Sequence, residues 1–299
     1  MVDLNIKLPD SFFLEEERDG YLVSAKMKEL WAVQLDLLNE FDRVCKKHNL
    51  KYILDFGTLL GAVRHKGFIP WDDDLDVSML REDYDKLMEV GPTEFKHPYF
   101  LQNKYTEKNY VDFVTKLRRT DTAYILKNDI NEKYKLTYNK GIFIDIFVFD
   151  NIPSNNQQDI EEIKKVRHQY ADRWFTLSRR PRVGCSMKHI ARILRFSYYR
   201  LLFGTSENAY KKHEEWARHL PSSDYVATIM LYGLTDIHKK KWFDNIKYIS
   251  FETLTVPSPI DYDEMLTEEY GDYMVPVRCP SDHTVCYINT ETSYQDITL

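Results

Sequence analysis

The sequence predicts an α/β (α+β) fold: a β-sheet flanked by helices, with a helical C-terminal extension. Three observations carry this. Before residue 150, apolar runs of strand length alternate with segments of helical periodicity. Gly141 to Asp150 is apolar on both faces except at Asp145, the pattern of a strand buried within a sheet. After the polar linker Ser154 to Gln158, apolar residues recur at helical spacing over 157–178, 187–203 and 206–219.

In chain order, Met27, Leu30, Trp31, Leu35, Leu38, Phe41 and Cys45 recur at three and four, predicting a long amphipathic helix over 24–48. Lys51 to Phe56 is a short strand, with Tyr52, Leu54 and Phe56 on one face. Gly57 and Thr58 permit a close turn, and Leu59 to Arg64 begins a helix that Gly67 and Pro70 break. Four acids then fall within five residues, Asp72, Asp73, Asp74 and Asp76, running into an apolar alternation. Residues two apart on a strand share a face, so Asp74 and Asp76 sit together while Leu75, Val77 and Met79 fill the other side. Arg81 to Val90 is a helix, and 113–117 and 123–126 are strands. A mixed tail begins at Tyr225. The whole divides into a core over 22–153 and a mostly helical substrate region over 154–299 that completes the same unit.

Composition narrows the function. The 299 residues are 43% hydrophobic and 29% charged, as in ordinary globular proteins. A net charge of −6 argues against a nucleic-acid binder. Cys45, Cys185, Cys279 and Cys286 form no C-x-x-C pair, so neither a zinc site nor a disulfide framework is expected. Met1 to Gly20 lacks a signal-type apolar run, and no stretch approaches the ~20 apolar residues of a membrane span. A cytoplasmic protein is expected. One stretch departs from the acidic background: 173–206 carries eight Lys/Arg and no acid. Within it, the helix 187–203 is basic and amphipathic, and either meets an anionic membrane surface or acceptor or pairs with acids of the protein itself.

The acids carry the chemistry. Adjacent ionised carboxylates repel, and a divalent cation relieves this. Asp145, alone in an apolar strand, needs either a metal or a buried arginine. Three carboxylates from two neighbouring strands would suit Mg²⁺ or Mn²⁺ bridging phosphate oxygens. The Gly57-Thr58 turn before a helix start would receive an anion. Arg64, His65 and Lys66 would neutralise a diphosphate, and of a second basic cluster, Lys116, Arg118 and Arg119, one is expected to face the pocket, with spacing leaving open which.

The order Phe56-Gly57-Thr58, Asp74-Leu75-Asp76-Val77 and Ile144-Asp145-Ile146 resembles the nucleotidyltransferase superfamily. More narrowly, Gly57 to Asp76 resembles the LicD family of phosphocholine transferases, related to fukutin-type phosphosugar transferases. The likeness extends to Phe143–Phe147 and Tyr270–Met274 and covers about residues 26–285. Where that family tends to carry consecutive prolines, this chain reads Val275-Pro276-Val277-Arg278-Cys279-Pro280.

The resemblance implies a nucleotidyltransferase-like mixed sheet. It implies a cytidine diphosphate donor, typically CDP-choline, and transfer of phosphocholine to a hydroxyl of a surface glycan such as lipopolysaccharide or teichoic acid, free or lipid-linked. It assigns Asp74 and Asp76 as the metal pair, with Asp145 as the third acid. The enzyme would then work in the cytoplasm or at the inner face of the membrane. Choline needs aromatic faces, for which Trp71, Tyr270 and Tyr273 are candidates. His283 is a further candidate of open role. A phosphosugar or phosphopolyol head group, a true nucleotidyltransferase releasing pyrophosphate, and a glycan-binding module are the alternatives.

Overall fold

The computed structural model describes residues 1–107, 110, 112–126, 138–179, 181, 186–278 and 285–297. His283, Cys185 and Cys279 lie outside the described residues. The elements, in order, are β1 (Glu16–Arg18), β2 (Tyr21–Val23), α1 (Ala25–His48), β3 (Ile53–Leu54), α2 (Phe56–Arg64), β4 (Asp76–Leu80), α3 (Arg81–Glu94), β5 (Tyr99–Gln102), β6 (Thr115–Arg119), β7 (Ala123–Leu126) and β8 (Ile142–Asn151). There follow α4 (Gln157–Ser178), α5 (Met187–Phe203), α6 (Ser206–Arg218), β9 (Tyr225–Met230), β10 (Gly233–Lys239), α7 (Lys241–Asp244), β11 (Ile246–Phe251), β12 (Leu254–Pro259), α8 (Tyr262–Tyr270) and β13 (Val285–Asn289). This is the expected α+β architecture. The chain forms two units, one of Met1–Phe147 with Lys241–Leu299, the other of Val148–Lys240.

The first unit is built on the strand order β3-β4-β8-β6-β5. β3 pairs antiparallel with β4 through Ile53↔Ser78 and Leu54↔Val77. β6 pairs antiparallel with β8, and Lys116 stands directly opposite Asp145. Leu75, Val77, Met79, Ile142, Ile144 and Ile146 bury their side chains in this sheet. α1 packs against β6, β12 and α3. Its start is fixed by Ser24, whose hydroxyl accepts from Met27 N–H at 3.2 Å, and its end by Asn49 in the left-handed conformation. Trp31 of α1 stacks flat on Phe68 at 4.7 Å.

Several boundaries differ from expectation: β6 runs Thr115–Arg119 in place of the expected 113–117 and α2 starts at Phe56 in place of the expected Leu59, and three further differences have a local reason. The strand before Gly57 is only Ile53–Leu54, because Asp55 leaves the sheet to cap α2. α3 runs past Val90 to Glu94. Gly91 is buried there because a Cβ would stand 2.5 Å from Leu101 Cδ2, so the glycine serves packing and not a break. β4 begins at Asp76, so Asp74 lies in the extended segment before the strand.

In the second unit, α4 packs on α6, and Ile152, Ile160, Ile163, Ala227 and Ile229 form the core with Trp216 and Leu234 against it. β9 and β10 make a hairpin, and β9 also pairs with the end of β8 at Asp150↔Ala227. The three helices end within a residue of their expected limits, with Asn156, Ser186 and Thr205 as caps. None of the described helices is long and apolar enough to cross a membrane.

Candidate active site

The site grows from the start of α2. Asp55 is fully buried; one carboxylate oxygen accepts from Phe56 N–H at 2.9 Å and the other from Ser78 Oγ at 2.5 Å. Phe56 has a φ of 47°, a conformation that strains a side chain of this size, and its ring meets Phe147 edge-on at 5.0 Å. Gly57 and Thr58 therefore lie inside the first turn of the helix, not in a turn ahead of it. The Thr58 hydroxyl accepts from Asp76 N–H at 2.8 Å, which couples the helix start to the acidic strand.

The acid-bearing segment is held by its own carbonyls. Trp31 Nε1 donates to the Asp72 carbonyl at 2.9 Å and Gln34 Nε2 to the Asp73 carbonyl at 2.8 Å. Tyr124 donates its hydroxyl to Asp73 Oδ2 at 2.8 Å, giving that carboxylate a structural partner. On the far side, Asp145 N–H donates to the Leu75 carbonyl at 2.9 Å, which brings β8 against the segment. Carboxylate oxygens of Asp72, Asp73 and Asp74 come within 4.8 Å of one another.

The electrostatic result is a crowd of acids with too little water. Burial, followed by the charge of Asp74, pushes the Asp72 carboxyl up to about 9. Burial also drives Asp76 well above the carboxylate range, with Asp74, Asp145 and Asp72 adding repulsion in that order. The Asp145 backbone lies against the segment at Leu75, while its carboxylate is ion-paired with Lys116. All of these are hard oxygen donors, the set that suits Mg²⁺ or Mn²⁺.

A cleft of about 540 Å³ opens over this cluster. It brings together seven of the residues singled out from the sequence: Gly57, Arg64, Trp71, Asp74, Asp76, Tyr270 and Tyr273. Trp71 meets Tyr21 edge-on at 5.9 Å, and Tyr273 donates its hydroxyl to Asp263 at 2.5 Å. Arg64 Nη1 donates to the Tyr273 carbonyl at 2.8 Å, so the α8 end of the chain is tied to α2.

Thr58, His65, Lys66, Lys116, Arg118 and Asp145 are not among the lining residues. His65 Nδ1 sits 2.7 Å from Asp19 Oδ2, and burial, then Arg64, lowers its proton affinity. Lys66 turns through a φ of 62° and donates to the Val63 carbonyl at 3.2 Å. Lys116 forms an ion pair with Asp145 and lies 4.0 Å above the Phe143 ring. The basic partner of Asp145 is thus a lysine directly across the ladder, not an arginine. Arg118 binds Gln102 and the Gly141 carbonyl, and Arg119 binds Asp36 and Asp121. Arg118 thus ties β6 to β5 and to the start of β8, and Arg119 ties β6 to α1.

The sequence reading passed over several contributors. Asp72 lines the cleft and was legible as part of the acid run. Asp272 lines it too, inside the Tyr270–Met274 block. Trp31, Gln34, Asp55 and Tyr124 left no local signal, since their partners are remote in sequence.

The site thus joins a helix start hydrogen-bonded to an acidic strand with a further acid on the neighbouring strand of a mixed sheet flanked by helices. Residues 49–189 match the family described as LicD/FKTN/FKRP, nucleotidyltransferase domain. That segment is a LicD-family domain. Over 259 residues, 83% of this chain, it is 27% identical to a protein of Haemophilus influenzae named lipopolysaccharide cholinephosphotransferase LicD, of which 91% is covered. A shorter stretch of 78 residues is 42% identical to an uncharacterized protein of Rickettsia prowazekii, covering 26% of this chain and 28% of that one. Its counterpart in Rickettsia typhi is 39% identical over 79 residues, covering 26% of this chain and 25% of that one.

Proposed function

We propose that this chain is a phosphotransferase that moves phosphocholine, or a similar substituted phosphate, from a CDP-linked donor to a hydroxyl of a surface glycan. The observation that carries it is Asp76: a buried carboxyl that lines an open cleft together with Asp72 and Asp74. A protein that only bound glycans would have no use for so unfavourable a cluster. The lipopolysaccharide acceptor named for the Haemophilus relative and the match of chain lengths support the same class.

Asp74 and Asp76, with Asp145 behind them, would hold Mg²⁺ or Mn²⁺. Such an ion supplies charge neutralisation on the donor diphosphate and steadies the leaving nucleotide. The rest falls to the chain. Arg64, anchored at the Tyr273 carbonyl, presents its guanidinium at the cleft wall, where it pairs with phosphate oxygens. Lys116 holds the Asp145 side chain by an ion pair across the β6–β8 ladder. Trp71, with Tyr270 and Tyr273 on the same cleft, offers ring faces to a quaternary ammonium.

The test is a panel of CDP-choline, CDP-glycerol, CDP-ribitol and nucleoside triphosphates, each with Mg²⁺. Thermal shift reads binding, and product analysis reads the reaction. CDP-choline should raise the melting temperature and release CMP in the presence of acceptor. Release of pyrophosphate from a triphosphate would instead make the chain a true nucleotidyltransferase. Asp76→Asn should abolish turnover with the fold intact.

A further inference from the structure

We propose that the outward face of α5 is a docking surface for an anionic membrane. This helix has no buried residue. One side, with Ile193, Phe196, Tyr199 and Phe203, is half-buried against its neighbours in the second unit. The opposite side carries Met187, Ile190, Leu194, Tyr198 and Leu201, spaced by three and four, so they form one stripe. That stripe faces water: Met187, Leu194 and Leu201 are 80%, 65% and 85% exposed. A surface helix normally turns its apolar residues inward, and a continuous stripe turned outward marks an interaction site.

Charge selects the occupant. Lys188, Arg192 and Arg200 are exposed and make no ion pair among the described residues; by helical spacing Lys188 and Arg200 flank the stripe on its two sides, and Arg192 lies behind it. Arg195 alone is engaged, by Asp172. No acid occurs anywhere in 173–206, while the whole chain carries −6. An anionic lipid surface satisfies both components at once. The stripe enters the acyl boundary, the long basic side chains reach the headgroups, and Tyr198 sits at the polar boundary. The inference is independent of the donor chemistry, so failure of the CDP-donor panel leaves it standing.

The full chain is tested by co-sedimentation with vesicles of phosphatidylcholine alone and of phosphatidylcholine mixed with phosphatidylglycerol. Two variants accompany it: K188Q/R192Q/R200Q, and L194Q/L201Q, whose sites are exposed and leave the core untouched. Circular dichroism confirms the helix content of each. The unaltered chain should sediment with the anionic vesicles and not with the neutral ones. Removing the three charges should lower partition about thirtyfold, at about one kcal/mol for each of Lys188 and Arg200 flanking the stripe. The leucine variant should also lose binding with its charge unchanged. A chain that stays in the supernatant with anionic vesicles overturns the proposal, as does binding that survives both variants. Gel filtration showing a dimer that L194Q/L201Q breaks would assign the face to a second copy and overturn it equally.

Discussion

A Cβ placed on Gly57 would stand 2.9 Å from Oδ2 of Asp72, so the glycine and the carboxylate share one small volume at the cleft. Gly57 does not adopt a left-handed φ and needs no special backbone freedom. Its role is to leave space. Gly57→Ala should therefore fold, and by helix propensity gain about 0.5–1 kcal/mol. Transfer should nevertheless fall about a hundredfold, the scale of a displaced reacting group. Thermal melts and CMP release, measured together, check this. A variant that is stable and fully active would show that Asp72 can move without consequence.

Lys116 and Asp145 face each other across β6 and β8, each side chain 9% exposed. Breaking a buried pair strands one charge, so Lys116→Met should lose about 3 kcal/mol of unfolding free energy. Asp145→Asn should lose a similar amount. The double variant should fall short of the sum by about 1–3 kcal/mol, because the pair is removed as a unit. Urea unfolding of the four proteins measures the coupling. Strict additivity would mean that the two side chains do not depend on one another.

What the sequence disclosed follows from how local each signal is. The acidic run, the buried strand around Asp145 and the capped helices 157–178, 187–203 and 206–218 are patterns within a few residues, and these appear where expected. The position of Gly57 was misjudged because Asp55, a strand-like residue by its neighbours, is drawn into a cap by Ser78, a residue 23 positions away. The supports at the Asp72 and Asp73 carbonyls come from Trp31 and Gln34, and nothing in the α1 periodicity separates these from ordinary core residues. The same holds for the cations. Spacing could not show that Arg118 and Arg119 spend their charge on Gln102, Gly141, Asp36 and Asp121, while Lys116 meets the acid.

Trp71 lies on the cleft beside Asp72, with Tyr21 supporting its edge. If its ring receives a quaternary ammonium, Trp71→Ala should raise KM for CDP-choline about tenfold, the size of a well-placed cation–π contact. KM for CDP-glycerol should barely change, and kcat should hold for both. Steady-state kinetics with the two donors separates these outcomes. An equal rise for both donors would make Trp71 a wall of the cleft with no part in head-group choice.

The acid cluster fixes the pH dependence of the metal-free protein. Asp72 moves from 3.8 in the unfolded chain to about 9 when folded, and Asp76 moves in the same direction. Within that window the folded state binds more protons than the unfolded one, so stability falls as pH rises. The contribution is complete below about pH 4 and lost as pH climbs through about 9. Ion-paired carboxylates act in the opposite sense only in acid, and His65, with its lowered proton affinity, only below about pH 6.5, so the slope between about pH 7 and 9 reports the cluster. In EDTA, melting temperature should decline across that range. Asp72→Asn, neutral at every pH, should flatten the decline and melt higher than the unaltered chain at the alkaline end. Mg²⁺ should flatten it as well, since a bound cation favours the ionised carboxylates and removes the advantage of protonation. A melting temperature that does not change with pH in EDTA, or a decline that Mg²⁺ leaves untouched, would mean that these acids are not held against one another and that a cation has no reason to settle among them.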